Sequence, residues 1–424
     1  MHTLKEIYQD NEERNFIDSS LYSRYRVKAG LRNDNGTGVK VGLTKICDVI
    51  GYKIIHEKKY NIDGQLIYRG YPINYLVNKQ PSDKICGFEE TAYLLIFGTL
   101  PNADQLKTFK DYLLNFKMGP VDLQYETPNI LNALQIEVLK LYAKDPSADT
   151  DDLEERMMKG LNILASIPLF TFSYARNKVF KSYPYPDRSL AENILCMARG
   201  NDQYTFEEAK IMDTLLMVHA DHGGGNNSTF ANVVISSTGT DIYSCISAAI
   251  GSLKGPKHGG ANCKVTNMFK AIFHEVGFTT DKATLKKIAN RILDKDFFDH
   301  SGLIYGIGHA IYTKSDPRAL LIHEQCEALA KSKGQEEIYN CIHAFEKVAI
   351  EVMKERKGID VCANVDYYSG YVYSLLGIES DLFTPLFAIS RTAGWVSHHL
   401  ENRQSNRKLI RPANVYVGEM EEIK

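Results

Sequence analysis

A histidine among glycines is the first feature of this chain that could take part in catalysis. His258 lies in the run GPKHGGAN (residues 255–262), after a stretch of small apolar residues that the Gly-Pro pair ends. A helical pattern begins near Asn262. Glycines let a ligand approach the backbone closely, and the positive end of the helix that follows disfavours an imidazolium ion. We therefore expect a neutral imidazole that can donate a hydrogen bond to an oxygen atom as negative charge develops there.

A second histidine segment, HADHGGGNNS, begins at His219 and also runs into glycines. His222, Asn226 and Ser228 offer hydrogen bonds to a ligand in the space that the glycines leave. The alternative is a zinc site on His219, Asp221 and His222, because two histidines and an aspartate lie close together. The spacing is not that of an H-E-x-x-H motif and no third ligand follows at a fixed distance, so it favours hydrogen bonding over metal binding.

A third histidine, His309, follows the glycines Gly306 and Gly308, and the sequence SDPR then ends at Arg318. The Asp-Pro pair before this arginine is typical of a helix start, with the aspartate as the N-cap. An arginine in that position sits among backbone N–H groups that suit an anion. The glycines match a dinucleotide-binding pattern only weakly, since no strand-loop-helix unit with an acidic residue downstream accompanies them.

The last third of the chain contributes one carboxylate and two more arginines. Asp366 stands in NVDYYSG (residues 364–370), where it could cap the helix that follows or act as a base. Arg391 lies within an apolar helical pattern, and a buried arginine needs an anionic partner. Arg411 lies in the polar tail, where a solvated position is the ordinary interpretation.

These segments together supply three histidines, one carboxylate and three arginines, without a metal-ligand set or a Ser or Cys nucleophile motif. Such a set suits carbon-acid chemistry on a polycarboxylate. Arginines bind the carboxylates bidentately, a carboxylate takes a proton from carbon, and histidines stabilise oxyanions.

Composition excludes several other classes of protein. The 424 residues are 44% hydrophobic and 24% charged, as in an ordinary globular protein of about two domains, and the net charge of −2 offers no basic field for nucleic acid. Eight scattered cysteines without a C-x-x-C pair indicate a reducing compartment. The N-terminus lacks an apolar signal segment, and no apolar run reaches the length of a membrane span. We expect a cytoplasmic protein.

The elements that must position these residues are mainly helices. Residues 39–71 alternate between polar and β-branched or aromatic side chains, with Asp63-Gly64 as a hairpin turn signal, and predict a small sheet. Elsewhere helical periods end at Gly or Pro, and one long amphipathic pattern from Glu336 to Lys357 ends at Gly358. The sequence therefore predicts an all-α fold with a minor N-terminal β-hairpin region.

At these motifs the chain resembles the citrate synthase family along most of its length. The matching pieces occur in the family's order and at close to its spacings. They are YRGYPI (68–73), FEETAYLL (88–95), HADH (219–222), GPKHGGAN (255–262), GH (308–309), DPR (316–318), NVD (364–366) and SR (390–391).

The resemblance implies an almost wholly helical homodimer with two domains in each subunit. Residues 1–263 and 375–424 would form a large domain, residues 264–374 a smaller inserted domain, and the active site would lie in the cleft between them. The implied reaction condenses acetyl-CoA with oxaloacetate and hydrolyses the citryl thioester to citrate and CoA, the entry step of the tricarboxylic acid cycle.

The resemblance also assigns roles to individual residues. Asp366 would remove a methyl proton from acetyl-CoA, His258 would hydrogen-bond the thioester oxygen, and His309 would polarise the carbonyl group of oxaloacetate. The carboxylates would be bound by Arg318, Arg391 and Arg411, the last reaching across the dimer interface. His222 would hydrogen-bond oxaloacetate, with Asn226 and Ser228 supporting the site around it.

Coenzyme A, as a cosubstrate rather than a resident cofactor, would lie along the loop that contains Leu303, Gly306 and Gly308. Lys357 and Arg356 would contact its phosphates, and no metal would be needed. Two positions depart from the family pattern. Many members have glutamate where this chain has Gly223, and many have an arginine within the run that is AIYTK (310–314) here. Contacts to coenzyme A should therefore differ in detail.

Three other functions remain open at this point. A 2-methylcitrate synthase would use propionyl-CoA on the same scaffold, and one methylene group in an apolar pocket is worth only about 1–3 kcal/mol. A zinc-dependent hydrolase could be built on His219, Asp221 and His222. A non-catalytic sensor of citrate or acyl-CoA is disfavoured by Asp366 and His258, since binding alone needs no carbon base.

Overall fold

The computed structural model describes residues 5–6, 9, 16–119, 123, 127–405 and 408–418. The chain divides into two units, residues 1–43 with 410–424 and residues 44–409. In the first unit, the described residues include a short helix, α1 (Ser20–Arg24), and a 3-10 turn at Ala29–Leu31.

The second unit is mostly helical, as the sequence predicts, and contains the small sheet. Its α-helices are α2 (Ile73–Asn78), α3 (Gly87–Phe97), α4 (Ala103–Leu114), α5 (Ile130–Lys144), α6 (Leu153–Ala175), α7 (Leu190–Arg199), α8 (Phe206–His219), α9 (Asn227–Ser236), α10 (Ile242–Leu253), α11 (Ala261–Val276), α12 (Lys282–Leu293), α13 (Pro317–Ser332), α14 (Glu336–Lys357), α15 (Val365–Leu375) and α16 (Phe383–Gln404). In the part of the chain that the structure describes, none of the helices is both long and apolar enough to cross a bilayer.

The sheet has three antiparallel strands, β1 (Cys47–Ile55), β2 (Lys58–Tyr68) and β3 (Tyr71–Pro72), in the order β1-β2-β3. The prediction of a hairpin turn at Asp63-Gly64 is wrong. The turn is made by His56 and Glu57, at φ 47° and 63°, and β2 continues through Gly64 to Tyr68. Gly64 is needed for a different reason, because a Cβ there would overlap the carbonyl oxygen of Ser315.

Helix ends follow the local signals in the sequence closely. Asn102 and Thr205 form capping boxes at the starts of α4 and α8. Gly98 and Gly358 end α3 and α14 in the left-handed conformation. Pro317 opens α13 as predicted, behind an aspartate N-cap.

Helix α16 is the centre of the packing. It contacts α3, α6, α8, α9 and α10, and its residues Pro385 to His399 are buried except for Phe387. A helix that is buried on nearly all sides belongs in a core, yet this one carries Arg391. Helices α11 to α15 pack mainly on one another, and α13 also touches α8 and β2. The division into large and small domains at residues 263/264 and 374/375 stays a prediction.

Candidate active site

His258 lies in the tight connection between α10 and α11. Its backbone N–H donates to the carbonyl oxygen of Gly255 at 2.8 Å, and the N–H of Gly259 donates to Leu253 at 2.9 Å. A Cβ on Gly259 would stand 2.6 Å from the Thr384 methyl carbon, so the loop can reach α16 this closely only with glycine there. Burial, and then the nearby Arg391, lower the pKa of His258 to about 4. The ring is neutral, as expected, although burial is the main cause.

A buried hydrogen-bond network supports the His258 ring. Its Nε2 atom lies 3.1 Å from Ser228 Oγ, and that hydroxyl also lies 3.0 Å from Asn226 Oδ1. The indole N–H of Trp395 donates to the same hydroxyl at 3.3 Å. Ser228 and Trp395 are both fully buried, so their polar groups are shielded from solvent. Sequence reasoning placed Asn226 and Ser228 near the site but missed Trp395.

His309 is held in one tautomer by the backbone that follows it. The N–H groups of Ile311 and Tyr312 both donate to its Nδ1 atom, at 3.0 and 3.1 Å. A nitrogen that accepts hydrogen bonds carries no proton, so the proton of the ring is on Nε2. The His309 ring can therefore act as an N–H donor.

His222 lies beside His309, with ring centroids 5.1 Å apart and planes at 80°. Its side chain is buried, and Nε2 has no hydrogen-bond partner among the residues that the structure describes. Burial is the largest cause of its lowered pKa, followed by Arg318, His309 and Arg391. A neutral donor or acceptor is thus available in the interior.

Arg391 is completely buried, with two nitrogen atoms unpaired. Its Nε donates to the carbonyl oxygen of His219 at 2.7 Å, but Nη1 and Nη2 have no partner within the described part of the chain. The guanidinium lies 4.6 Å from the centre of the Phe387 ring. Asp221 is close enough to interact electrostatically with Arg391 but pairs with His398 at 2.9 Å. Two unpaired, parallel donors fit a carboxylate group.

Arg318 is also buried but already has a carboxylate partner. Its Nη2 and Nε lie 2.6 and 3.0 Å from the two oxygens of Asp316, the N-cap of α13. Burial lowers the pKa of Arg318, but the Asp316 carboxylate outweighs it and raises the pKa above the usual value. The ion pair leaves Nη1 as the remaining group to meet an anion.

Asp366 lies in the first turn of α15, and Asn364 rather than Asp366 caps that helix. Asn364 also donates from Nδ2 to the carbonyl oxygen of Gly308 at 2.8 Å, and from its backbone N–H to Gly306 at 2.8 Å. These bonds tie the turn before His309 to the start of α15. Burial raises the pKa of Asp366 to about 6, although Arg318 and Arg391 oppose it.

The structure thus brings most of the predicted catalytic and oxaloacetate-binding residues together. His222 interacts electrostatically with His258, His309, Arg318 and Arg391, and the two arginines also act on Asp366. These six groups come from five separate stretches of the chain.

Arg411 is the predicted substrate ligand that does not belong to the second unit. It belongs to the smaller unit, residues 1–43 with 410–424, and its side chain is exposed. Its role stays a prediction.

The residues predicted to bind coenzyme A lie in the second unit. Leu303 is 54% exposed, and Gly306 and Gly308 have φ angles of 80° and 100°. Lys357 is exposed at the end of α14. Arg356 pairs with Asp294 at 2.7 Å, which reduces its availability for a phosphate.

Two aromatic residues that sequence reasoning missed also line the site. Tyr312 is fully buried and stacks on His309, with centroids 4.7 Å apart. Phe387 contacts Arg391, His219 and His258. The position of Phe387, one helical turn before Arg391, was a usable signal. Tyr312 had no local signal beyond its nearness to His309.

The zinc alternative requires His219, Asp221 and His222 to point at one metal ion. His219 Nδ1 lies 2.7 Å from the carbonyl oxygen of Leu215, and its ring packs on Phe387, whereas His222 faces His309. Within the described ranges, no group of three His, Cys, Asp or Glu side chains is arranged to hold a metal ion.

Comparison with known proteins gives one consistent family. A family model described as "Citrate synthase, C-terminal domain" matches residues 33–413. A citrate synthase of Haloferax volcanii is 37% identical over 386 residues, which cover 87% of this chain and 94% of that protein. A 2-methylcitrate synthase of Corynebacterium glutamicum is 33% identical, covering 83% of this chain and 89% of that protein.

Solved structures give the same likeness. The citrate synthase of Thermotoga maritima matches with a TM-score of 0.73 at 28% identity, covering 94% of this chain and 98% of that one. The Thermoplasma acidophilum citrate synthase, solved as a ternary complex with carboxymethyl coenzyme A and oxaloacetate, matches with a TM-score of 0.74 at 27% identity. The match covers 94% of this chain and 98% of that chain.

Proposed function

Because this chain belongs to the citrate synthase family, whose members are enzymes that transfer an acyl group, we propose that it condenses acetyl-CoA with oxaloacetate. Hydrolysis of the resulting citryl thioester then gives citrate and CoA. The observation that supports this most directly is the buried Arg391, whose two unpaired nitrogens lie among neutral histidines and a carboxylate of raised pKa.

Oxaloacetate would bind first, with one carboxylate on Nη1 and Nη2 of Arg391. The other polar groups of the same cluster are the Nε2 atom of His222 and the remaining nitrogen of Arg318. Binding would provide hydrogen bonds for donors that have no partner among the described residues. An unmade bond to a buried donor costs about 1–3 kcal/mol, so the dicarboxylate would be bound strongly.

Asp366 would remove the methyl proton of acetyl-CoA. A carboxylate with a pKa of about 6 is a stronger base than an ordinary aspartate and is still mostly ionised at neutral pH. The electron pair of the C–H bond moves to form the enol or enolate, and the proton goes to Asp366.

His258 would donate a hydrogen bond to the thioester oxygen as charge develops. The neutral ring carries one proton, so the donor must be Nδ1–H if Nε2 accepts from the Ser228 hydroxyl. Trp395 already donates to that hydroxyl, and its single proton points to Asn226 Oδ1, so Nε2 accepts only when that proton turns to His258. The network therefore has the capacity to set the tautomer that the reaction needs.

His309 would polarise the carbonyl group of oxaloacetate through Nε2–H. The enol carbon then attacks the carbonyl carbon, a C–C bond forms, and the carbonyl oxygen gains the negative charge that this N–H stabilises. Water subsequently attacks the thioester carbon of citryl-CoA, and CoA leaves as the thiol.

Coenzyme A would lie against the exposed loop of Leu303, Gly306 and Gly308, with Lys357 near its phosphates. Glycines with positive φ expose backbone groups that a larger side chain would cover. We also propose a homodimer in which Arg411 completes the partner's site. The smaller unit exposes large apolar side chains, among them Phe16 at 76% and Leu43 at 86%, which suit a protein interface.

The second candidate is 2-methylcitrate synthesis from propionyl-CoA, since relatives of that name are 31–33% identical to this chain. Both reactions would use the same residues. The proposed location is the cytoplasm, in keeping with eight free cysteines.

A thiol-release assay with oxaloacetate tests the proposal and separates the two candidates. We expect release from acetyl-CoA, with a higher kcat/KM than for propionyl-CoA, and no effect of EDTA. A higher kcat/KM for propionyl-CoA would favour the second candidate. Activity that EDTA abolishes and zinc restores would support the hydrolase alternative instead.

A further inference from the structure

The hairpin formed by β1 and β2 contacts both chain segments that carry the neighbouring histidines His222 and His309. At the first segment, the Tyr68 hydroxyl donates to the carbonyl oxygen of Asp221 at 2.8 Å and accepts from its N–H at 3.1 Å. Tyr68 is fully buried. The base of the hairpin is therefore fixed to the residue that precedes His222.

The hairpin also contacts the segment that follows His309. The N–H of Gly64 donates to Ser315 Oγ at 3.1 Å. The Tyr312 hydroxyl donates to the carbonyl oxygen of Gln65 at 3.3 Å. One rigid element thus joins the two histidine segments, which are about 90 residues apart in the sequence.

Two glycines allow this contact to be backbone against backbone. A Cβ on Gly64 would stand 2.6 Å from a ring carbon of Tyr312 and would overlap the carbonyl oxygen of Ser315. A Cβ on Gly51 would stand 2.8 Å from the carbonyl carbon of Ile311. Glycine inside a strand marks such close approaches, and any side chain would push the segment away.

Tyr312 is the side chain between the hairpin and the histidines. Its ring stacks on His309 at 24°, meets the His222 ring edge to face with centroids 5.6 Å apart, and lies 5.8 Å from the Arg318 guanidinium. It is fully buried. Its ring therefore limits how far His309 can tilt.

We propose that Tyr312 is a positioning residue for His309 and that the β1–β2 hairpin holds it in place. This proposal depends on the proposed function, in which His309 donates to the oxaloacetate carbonyl. A displacement of about 1 Å at a reacting group can cost about 100-fold in rate. The hairpin would fix both the orientation of the ring and the two backbone N–H groups that define its tautomer.

The effect should appear in kcat rather than in the KM for oxaloacetate. His309 meets charge that develops only during condensation, so its misplacement weakens the transition state more than the bound ground state. The carboxylates of oxaloacetate would be bound by Arg391 and by Arg318, whose ion pair with Asp316 does not involve the Tyr312 side chain. A residue that merely stabilised the fold would not separate kcat from KM in this way.

The first test compares Tyr312→Leu with Tyr312→Phe. The phenylalanine variant keeps the stacked ring, and we expect its kcat within about threefold of the parent chain. The leucine variant loses the ring, and we expect its kcat to fall by about 10–100-fold with little change in KM for oxaloacetate. Equal kcat values for the two folded variants, or a change in KM alone, would overturn the proposal.

A variant in the hairpin tests its role without changing Tyr312. Gly64→Ala should push the segment after His309 away from β2 and lower kcat by about 10–100-fold. Gly119→Ala is the control, because its Cβ would have no atom within 4 Å, and its kcat should not change. Unchanged kcat in a folded Gly64→Ala variant would contradict the role of the hairpin.

The tautomer of His309 gives a readout that does not depend on turnover. In protein labelled with ¹⁵N-histidine, and with His309→Gln used for assignment, Nδ1 should be unprotonated and Nε2 protonated. Both Gly64→Ala and Tyr312→Leu should increase the Nδ1-protonated fraction. No thiol release from the parent chain would refute the proposed function, whereas an unchanged tautomer in both variants would refute the positioning proposal.

Discussion

Arg391 places a permanent positive charge inside the core while two of its nitrogen atoms have no partner among the described residues. Burial lowers the pKa of this guanidinium, and Asp221 only partly opposes that shift. Evolution toward stability alone would favour an apolar residue here, because a buried charge is costly to desolvate. The arrangement is explained if an anionic ligand binds there.

Arg391→Gln should raise the KM for oxaloacetate by about 10–100-fold, since a charge-assisted hydrogen bond contributes about 1.5–3 kcal/mol. Stability should hold or rise, because the variant removes a buried charge that has two unpaired nitrogens. Initial rates and thermal unfolding measure the two effects. Arg291→Gln, which removes a surface ion-pair partner of Glu275, is the control and should leave KM unchanged. An unaltered KM in the Arg391 variant would remove this residue from the oxaloacetate site.

Asp366→Asn should lower kcat by about 10²–10⁴-fold, the usual contribution of a positioned general base. The amide has the same shape, so the protein should still fold and bind oxaloacetate, which calorimetry with oxaloacetate alone can measure. Full activity of the variant would assign proton removal to another residue.

The raised pKa of Asp366 also predicts the acid limb of the pH profile. The base must be ionised, so kcat/KM should fall as the pH drops through about 6, whereas an unperturbed aspartate would remain active to about pH 4. Because Arg391 lowers the pKa of Asp366, the limb should move to higher pH in Arg391→Gln. A limb near pH 4 in the parent chain would exclude Asp366 as the titrating group.

At the scale of elements, α16 and the His219–His222 turn are packed backbone to backbone. The N–H of Gly394 donates to the carbonyl oxygen of Ala220 at 3.2 Å, and a Cβ on Gly394 would stand 2.6 Å from Asp221 Oδ1. Arg391 lies one helical turn before Gly394, so this contact also holds Arg391 close to the His219–His222 turn. A glycine in the middle of a helix, normally unfavourable, is thus required by the neighbouring backbone.

Gly394→Ala should lower the free energy of unfolding by about 1–3 kcal/mol, the usual effect of overpacking. Gly251→Ala, also within a helix, is the matched control, because its Cβ would meet only the end of the flexible Gln135 side chain. That variant should be neutral or slightly stabilising. Urea unfolding measures both, and equal stabilities would show that the contact at Gly394 can relax.

At the scale of the whole molecule, the proposed homodimer would make each site depend on two chains. Arg411 lies in the smaller unit, together with the N-terminal residues, and the proposed role places it in the partner's site. A site shared between two chains can be tested by complementation, whereas a site built from one chain cannot. Two inactive variants should restore activity when they form a mixed dimer.

Arg411→Ala and Asp366→Asn should each have low activity alone, the first through a raised KM for oxaloacetate. In a mixed dimer, one site has both the intact Asp366 and the partner's intact Arg411. Co-expression should therefore recover up to about a quarter of the parent activity. Activity no greater than the sum of the separate variants would show that Arg411 acts within its own chain or not at all.

Much of this protein was determined locally and could be predicted from the sequence. The capping boxes at Asn102 and Thr205, the glycines that end α3 and α14, and the Asp-Pro start of α13 depend on groups within four residues of one another. Short-range hydrogen bonds and φ preferences decide such features in any context. The motifs likewise identified the family, which the comparisons confirm.

Only the tertiary structure decided which distant segments contact and bury one another. Asp63-Gly64 has the composition of a turn, yet Ser315 and Tyr312 pack against Gly64, which lies within a strand. The pKa of Asp366 and the unpaired nitrogens of Arg391 follow from burial by helices far away in sequence. Strand register, desolvation and contact between rings depend on residues that are far apart in the sequence and meet only when the chain folds. No local pattern can contain them.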